Sequence, residues 1–180
     1  DNDVDRVLWY ETIQGTAPET PDRLDSAAIA LLPRAMHGGQ DLHLAGPVSW
    51  SVLANLEEFQ DIWNMWRPDL FNLVRVTADA VIDDRGEGAG PLADKGVIEL
   101  AGGVDSTYAL VSNTVKERGH RAVDLVAAVE VHGFDIPLHD TRAYDVALRS
   151  GAPLLSSRGI EHVGIRTNWH EEFCPDWELT

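Results

Sequence analysis

The chain has 180 residues, 44% of them hydrophobic, and its 30 acidic against 14 basic residues give a formal net charge of −16. This is enough apolar material for one or two folded domains, while the charge opposes binding to nucleic acid or to an anionic membrane. The single cysteine excludes a disulfide framework and a cysteine-rich metal site. With no apolar run long enough to cross a bilayer, we expect a cytoplasmic protein that acts on a small molecule or a protein.

Residues 1–82 predict a small α+β subdomain. Arg6–Tyr10 reads as a short strand, and Ala27–Leu32 is an apolar run closed by Pro33. Leu42–Leu44 predicts a second strand, which the Gly46-Pro47 pair turns into a helix. We identified no chemistry in the first 40 residues.

The helix that follows is predicted to have Ser49 as its cap and to stop at Pro68. Its apolar residues recur at three-four spacing, which predicts one buried face. Trp63 and Trp66 belong to this face, so we interpret them as core residues rather than as a base-stacking platform. A strand over Leu73–Val76, continued by Ala78–Ile82, completes the subdomain.

An acidic, glycine-rich segment, residues 83–95, is the predicted linker to the second domain, residues 96–180. In that domain apolar runs alternate with helical patterns, which predicts an α/β fold with a parallel sheet and right-handed crossovers. The predicted strands are Val97–Leu100, Val123–Val131 and Ile160–Arg166. The predicted helices lie between them, one ending at Gly119 and one running from about Thr141 to Ser150, closed by Gly151.

A glycine turn joins the first of these strands to its helix, in the run Ala101-Gly102-Gly103-Val104-Asp105-Ser106-Thr107. The first N–H groups of a helix have no intrahelical partner and carry the positive end of the dipole, so they favour an anion. Glycines let the backbone approach a phosphate closely, and Ser106 and Thr107 add hydroxyl donors. No lysine follows the glycines, which excludes a Walker-type loop.

The run from Ala101 to Ser106 resembles the Ser-Gly-Gly-x-Asp-Ser signature of the PP-loop (N-type) ATP pyrophosphatases, the superfamily of the asparagine synthetase, GMP synthetase and NAD synthetase domains. One position departs, because Ala101 stands where that signature has its first serine. The resemblance implies a Rossmann-like fold of the HUP (adenine nucleotide alpha hydrolase-like) type, with helices on both faces of a parallel sheet. It also implies that Gly102, Gly103 and Ser106 bind the pyrophosphate of ATP and that Asp105 lies near Mg²⁺.

Two further segments fall at the ends of predicted strands and should lie near the glycine turn, because ligands bind at the carboxyl ends of parallel strands. They are His132-Gly133-Phe134-Asp135 and Thr167-Asn168. In the PP-loop enzymes the turn after the second strand holds adenine and ribose, so the resemblance assigns that role to His132–Asp135. The turn Gly133–Leu138 has the sequence Gly-Phe-Asp-Ile-Pro-Leu. With this turn, most of residues 27–177 also resemble a bacterial branch of asparagine-synthetase-like proteins.

Structural alternatives remain for several of these residues. Asp105 could cap the helix instead of holding a metal, and Asp135 could form a turn with its own backbone. The seven histidines show no metal-ligand spacing. Cys174 could carry sulfur, as in thiouridine-forming relatives, although a buried thiol is the commoner state of a lone cysteine.

The domain also looks incomplete beside the family, which uses about five parallel strands and basic residues after the third. We therefore expect a second polypeptide, or the other half of a cleaved precursor, to complete the sheet and the site. The leading hypothesis is an ATP-dependent ligase or amidotransferase-like enzyme that adenylates a carboxylate, amide or carbonyl for attack by an amine. The alternatives are a catalytically degenerate nucleotide-binding scaffold subunit and a sulfur-inserting enzyme.

Overall fold

The computed structural model describes residues 5–86, 94–117 and 119–174. They form an α/β structure with two sheets in which most strand pairs are parallel. The strands are β1 (Tyr10–Gln14), β2 (Leu42–Ser49), β3 (Val76–Ile82), β4 (Lys95–Glu99), β5 (Asp124–His132) and β6 (Glu161–Thr167). The helices are α1 (Asp25–Gly38), α2 (Trp50–Trp66), α3 (Val104–Thr114), α4 (Thr141–Ser156) and α5 (Trp169–Phe173), with a 3-10 turn at Gly119–Arg121. The chain divides into a larger unit, residues 1–18 with 89–172, and a smaller unit, residues 19–88 with 173–180.

The larger unit is built on a four-stranded sheet of order β1-β6-β5-β4. Strands β4, β5 and β6 are parallel, as the sequence predicts, and β1 runs antiparallel to β6 along one edge. The sequence predicts an N-terminal strand at Arg6–Tyr10 and groups it with residues 1–82. In the structure the strand starts at Tyr10 and belongs to the larger sheet.

Helices α3 and α4 pack on the same face of this sheet. Leu110 of α3 and Leu155 of α4 share one buried cluster with Ala128 of β5, and Leu100 and Ile160 complete it. Two right-handed crossovers between strands laid down in sequential order put both helices on one side. The expectation of helices on both faces is therefore not met by α3 and α4.

The smaller unit is a parallel β2-α2-β3 motif with α1 packed against it. Ala28, Leu32 and Met36 recur every fourth residue along α1, so one face of that helix is fully buried. Trp63 of α2 packs against the same core and lies 5.5 Å, centroid to centroid, from Phe71. The core position predicted for Trp63 is confirmed, whereas the same prediction for Trp66 is wrong, because Trp66 is 63% exposed.

The start of α2 is held by two aspartates of the smaller unit. Ser49 has the cap position predicted for it, yet its hydroxyl makes no cap hydrogen bond. Its backbone N and its Oγ donate instead to Asp25, at 2.8 and 2.6 Å. Backbone N of Ser51 donates to Asp84 at 3.0 Å, and the Ser51 hydroxyl donates to the same carboxylate. The first turn of α2 thus lies beside two carboxylates of its own chain.

Proline and glycine end fewer elements than the sequence predicted. Helix α1 continues through Pro33, and α4 continues past Gly151 and Pro153 to Ser156. Strand β2 continues through Gly46 and Pro47, where its register with β3 shifts. Buried side chains on both sides of these positions, such as Leu32 and Met36 around Pro33, outweigh the lost backbone hydrogen bond.

Most of the predicted linker, residues 83–95, lies outside the described residues, which resume at Asp94. At its start Arg85 Nη2 contacts Asp83 Oδ2 at 2.7 Å. Among the helices that the structure describes, none is long and apolar enough to cross a membrane.

Candidate functional site

The glycine turn between β4 and α3 is open. Gly102 has φ +71°, a conformation that favours glycine, and a Cβ added at Gly102 or Gly103 would meet no atom within 4 Å. Gly103 is the N-cap of α3, and within the part of the chain that the structure describes no side chain caps this helix. The first turn of α3 therefore presents backbone N–H groups at an exposed bend, the arrangement that binds anions at helix starts.

The polar residues of the turn lie in the first turn of α3. Ser106 Oγ donates to the carbonyl of Gly103 at 3.3 Å, so its oxygen can still accept or bind a ligand. Asp105 is exposed and sits inside the helix, because the cap is Gly103. The alternative role of Asp105 as the helix cap is therefore wrong, and its carboxylate faces solvent.

A small cleft of about 40 Å³ joins the glycine turn to the end of β5. Its wall includes Ala101 on one side and Phe134 and Asp135 on the other, with Glu99 and Glu130 between them. Two of the three segments expected at the strand ends are thus brought together. The carboxylates make this cleft acidic, which suits hydroxyl groups or a cation better than a bare phosphate.

His132 is occupied by the fold. Its ring is 1% exposed, stacks on Tyr144 at 4.5 Å between centroids, and places Nε2 2.9 Å from the carbonyl of Pro137. Tyr144 donates to the backbone carbonyl of Glu130 at 2.7 Å. Burial, and then the nearby Glu130 carboxylate, raise the pKa of Tyr144 to about 12, so its phenol remains a neutral donor.

Gly133 marks a close approach between the ends of β5 and β6. It has φ +105°, and a Cβ at this position would lie 2.0 Å from the carbonyl oxygen of Thr167. Only glycine fits there. In the expected nucleoside segment, Phe134 and Asp135 therefore line the cleft, while His132 and Gly133 shape the backbone beneath it.

Thr167 and Asn168, at the end of β6, also serve the fold. Thr167 is fully buried, and its Oγ1 accepts from the backbone N of Trp169 at 3.1 Å. Asn168 accepts from the backbone N of Trp9 at 3.1 Å and donates to the carbonyl of Val7 at 2.8 Å. Neither residue lines the cleft beside the glycine turn.

The sequence analysis missed a buried acid–base pair. Glu130 of β5 and His162 of β6 have side chains only 6% and 9% exposed, and His162 Nε2 lies 2.5 Å from Glu130 Oε2. The signal was a carboxylate near the end of the apolar run Val123–Val131, because a charge on a buried strand needs a partner. No spacing along the chain identifies that partner, because the two residues meet only across the sheet.

No group of three or more His, Cys, Asp or Glu side chains that could hold a metal occurs among residues 5–86, 94–117 and 119–174. Asp105 therefore offers a single carboxylate. That is compatible with Mg²⁺ bound mainly through substrate phosphates and water, as one or two protein carboxylates are common at such sites. Cys174 is 1% exposed, which opposes a sulfur-carrying role for its thiol.

Fold and site define an α/β protein with a mixed, mostly parallel sheet and an open glycine turn at a helix start. Comparisons of the chain with protein-family models, with curated proteins and with solved structures find no match. The likeness of Ala101–Ser106 to the PP-loop signature thus remains a prediction from the sequence.

Proposed function

We propose that the protein is an ATP-dependent adenylating enzyme of the ligase or amidotransferase type, with a Rossmann-like nucleotide-binding domain and a cytoplasmic location. The observation that carries the proposal is the uncapped, glycine-lined start of α3, which follows a parallel strand and is open to solvent. The terminal phosphates of ATP fit this environment because the loop offers backbone donors and no side chain fills it.

In the proposed reaction an oxygen of a carboxylate, amide or carbonyl attacks the α-phosphorus of ATP. The bond to the bridging oxygen breaks, pyrophosphate leaves with the electron pair, and AMP remains attached to the substrate. An amine then displaces AMP and loses one proton. The amides of Gly102 and Gly103 and the Ser106 hydroxyl stabilise charge on the leaving pyrophosphate. Mg²⁺ near Asp105 would neutralise further charge on the phosphates.

The nucleoside end of ATP is assigned to the surface around the cleft between Ala101 and the turn after β5, because the cleft itself, about 40 Å³, is too small to enclose a nucleoside. Asp135 is exposed there and can accept hydrogen bonds from ribose hydroxyls, and Phe134 offers an apolar wall. Ala101 removes one hydroxyl from the phosphate loop, which lowers the expected affinity without blocking the turn.

A partner polypeptide is part of the proposal. Strand β4 has a neighbour only on its β5 side among the described strands, and Val97 in β4 is 62% exposed. A parallel edge strand of this kind is a template for pairing. Native mass analysis tests this, and a stable monomer at micromolar concentration would count against it.

The direct test is exchange of labelled pyrophosphate into ATP with Mg²⁺ and pooled carboxylic acids. We expect exchange that falls by about tenfold or more in Ser106→Ala, the loss of one hydrogen bond to a charged group. Ser157→Ala is the matched control, because that exposed serine also donates to a helical carbonyl, at 2.8 Å. An Ser106→Ala variant with the exchange rate of the unmodified protein would contradict the assignment.

A nucleotide-binding scaffold is the second candidate, favoured by Ala101 and by the small volume of the adjacent cleft, about 40 Å³. It predicts that ATP binds but supports neither exchange nor AMP formation with any acid. The same assay, run beside a calorimetric measurement of ATP binding, separates the two.

A further inference from the structure

A groove between α3 and α4 lies beside the glycine turn and has a volume of about 290 Å³. Gly102 and Thr107 form one end of it, and Leu100, Ala147 and Leu154 give it apolar walls. Glu130 is the one charged side chain that lines this groove. A ligand here would therefore meet an apolar channel with a single carboxylate.

One oxygen of Glu130 is available to such a ligand. Oε2 is paired with His162, whereas no residue in the part of the chain that the structure describes donates to Oε1. The Glu130 side chain as a whole is only 6% exposed. An ionised carboxylate oxygen without a protein donor can accept a hydrogen bond from a ligand in the groove.

The hydrogen bonds of His162 determine the charge of the pair. Its Nδ1 is buried and has no hydrogen-bond partner among the described residues. An imidazolium, or a neutral ring protonated on Nδ1, would bury an N–H without an acceptor, whereas a ring protonated on Nε2 leaves only a lone pair there. Hydrogen bonding therefore favours a neutral His162 that donates from Nε2 to an ionised Glu130, which gives the pair a net charge of −1.

We propose that this groove is a binding site for a primary alkylammonium ligand, whose N–H group donates to Glu130 Oε1 and whose carbon chain lies against Leu100, Ala147 and Leu154. The negative charge of the Glu130–His162 pair matches the charge of an alkylammonium. The Glu130 oxygen can accept its N–H group, and the apolar side chains of the groove match its carbon chain. His162 is a positioning residue that holds Glu130 through Oε2.

The site also has a place in the chemistry proposed above. Because Gly102 and Thr107 line both the phosphate turn and the groove, an amine bound at Glu130 is next to the region assigned to the adenylated substrate. Its identification as the attacking amine rests on the proposed function. In that step the bound alkylammonium first loses one proton to Glu130, which gives the free amine. The amine nitrogen then forms a bond to the acyl carbon, AMP leaves with the electron pair of the C–O bond, and the second proton that the nitrogen loses goes to the departing phosphate of AMP.

The binding site itself is tested without ATP, by NMR titration of the full 180-residue chain with n-butylammonium chloride. We expect saturable shifts, with a dissociation constant in the millimolar range for so small a probe, at Gly102, Thr107, Ala147 and Gly151. Butyrate and tetramethylammonium at the same ionic strength should leave these signals in place, since one has the wrong charge and the other has no N–H. Equal shifts with all three probes would overturn the proposal.

Two variants locate the contact. Glu130→Gln keeps the shape of the side chain and should weaken butylammonium binding at least about tenfold, while the exposed Glu117→Gln should not. Gly151→Ala is the second variant, because alanine favours the helix and the added methyl would lie 3.7 Å from Glu130 Oε2. The methyl would also lie 3.2 Å from Leu100, whose side chain must shift by a few tenths of an ångström. It should weaken binding about fivefold by narrowing the groove. Unchanged binding in Glu130→Gln, or in Gly151→Ala if the first variant does not fold, would overturn the assignment.

The charge assignment has its own readout in the ¹⁵N shifts of the His162 ring. The hydrogen bonds predict a ring with its proton on Nε2, and an imidazolium would contradict the proposed charge. Failure of pyrophosphate exchange would remove the ligase proposal but not the amine site. Exchange without butylammonium shifts would remove only the amine site.

Discussion

Helices α2 and α3 each follow a parallel strand, and the N–H groups of their first turns differ in the hydrogen-bond partners that the chain gives them. At the start of α2, Asp25 and Asp84 accept hydrogen bonds from the backbone N and hydroxyl groups of Ser49 and Ser51. At the start of α3 no side chain caps the helix, and the residues before it are an exposed glycine pair. The start of a helix thus binds carboxylates of the chain itself in the smaller unit, whereas in the larger unit it is exposed to solvent.

This difference indicates which of the two helix starts can bind an external anion. Each helix start has the positive end of a dipole and several N–H groups without intrahelical partners. In α2 the chain supplies two carboxylates, balanced by Arg23, whose Nη1 donates to Ser49 Oγ at 3.1 Å. In α3 the first turn contains Asp105, but no described side chain accepts a hydrogen bond at the cap, so the N–H groups remain available to a phosphate. The following changes would break or sharpen this contrast.

The largest expected effect is a loss of ATP affinity when the start of α3 is given a carboxylate, as the start of α2 already has. Gly103 has φ −78°, which an aspartate can adopt, so Gly103→Asp should cap α3 with a carboxylate of the chain itself. That charge should repel the phosphates by on the order of 3 kcal/mol, or about 100-fold in ATP affinity, at an effective dielectric constant of about 20. Calorimetric titration with ATP and Mg²⁺ measures the change.

Gly103→Asn is the matched control, because it caps the helix without the charge. It should keep most of the affinity, while both variants leave the free energy of unfolding within a few tenths of a kcal/mol of the original or slightly higher. If Gly103→Asp bound ATP as well as the unmodified protein, the glycine turn would not be the phosphate site.

The second effect is a loss of stability when a carboxylate is removed from the start of α2. Asp25→Ala removes the acceptor for both the N–H and the hydroxyl of Ser49, which is 2% exposed. Leaving buried donors without a partner should lower the free energy of unfolding by about 2 kcal/mol. Urea unfolding followed by fluorescence measures the loss.

Asp22→Ala provides the comparison for that measurement. Asp22 is 94% exposed and lies 4.0 Å from Arg23, so its removal should change the free energy of unfolding by less than about 0.5 kcal/mol. Equal losses in the two variants would show that Asp25 acts through general surface charge rather than through Ser49.

Whether the sequence predicts the two helix starts depends on how far apart the interacting residues lie along the chain. The strand, glycine turn and helix of Leu100–Thr107 are contiguous, so their order was visible without a structure. Ser49 was also correctly placed as the cap residue of α2. Its partner Asp25 is 24 residues away, and no local pattern connects the two. The sequence therefore predicted where a helix starts but not what satisfies it.

The same limit explains the rest of the site. Glu130 and His162 are 32 residues apart and meet only because β5 and β6 are parallel with Val129 opposite Val163. Strand β1 pairs with β6 across about 150 residues, and its alternating pattern does not specify which sheet it joins. His132 and Asn168 were expected at the ligand because they follow strands. Their side chains are buried in contacts that only the packed structure reveals.

The smallest effect concerns Asp84, the second aspartate that binds the start of α2, and the pH dependence of its contribution to stability. The hydrogen bonds from the hydroxyl and backbone N of Ser51 hold the pKa of Asp84 below its ordinary value. A carboxylate whose folded pKa is lowered contributes stability above the unfolded value of about 3.9 and loses it as the pH falls through the folded value. Asp84→Ala should therefore shift the urea midpoint at pH 7 by less than Asp25→Ala does, and the shift should shrink below about pH 4. A difference between Asp84→Ala and the original chain that stays constant from pH 7 to pH 3 would mean that Asp84 acts through its shape rather than through its charge. The closed start of α2 would then depend on Asp25 for its negative charge.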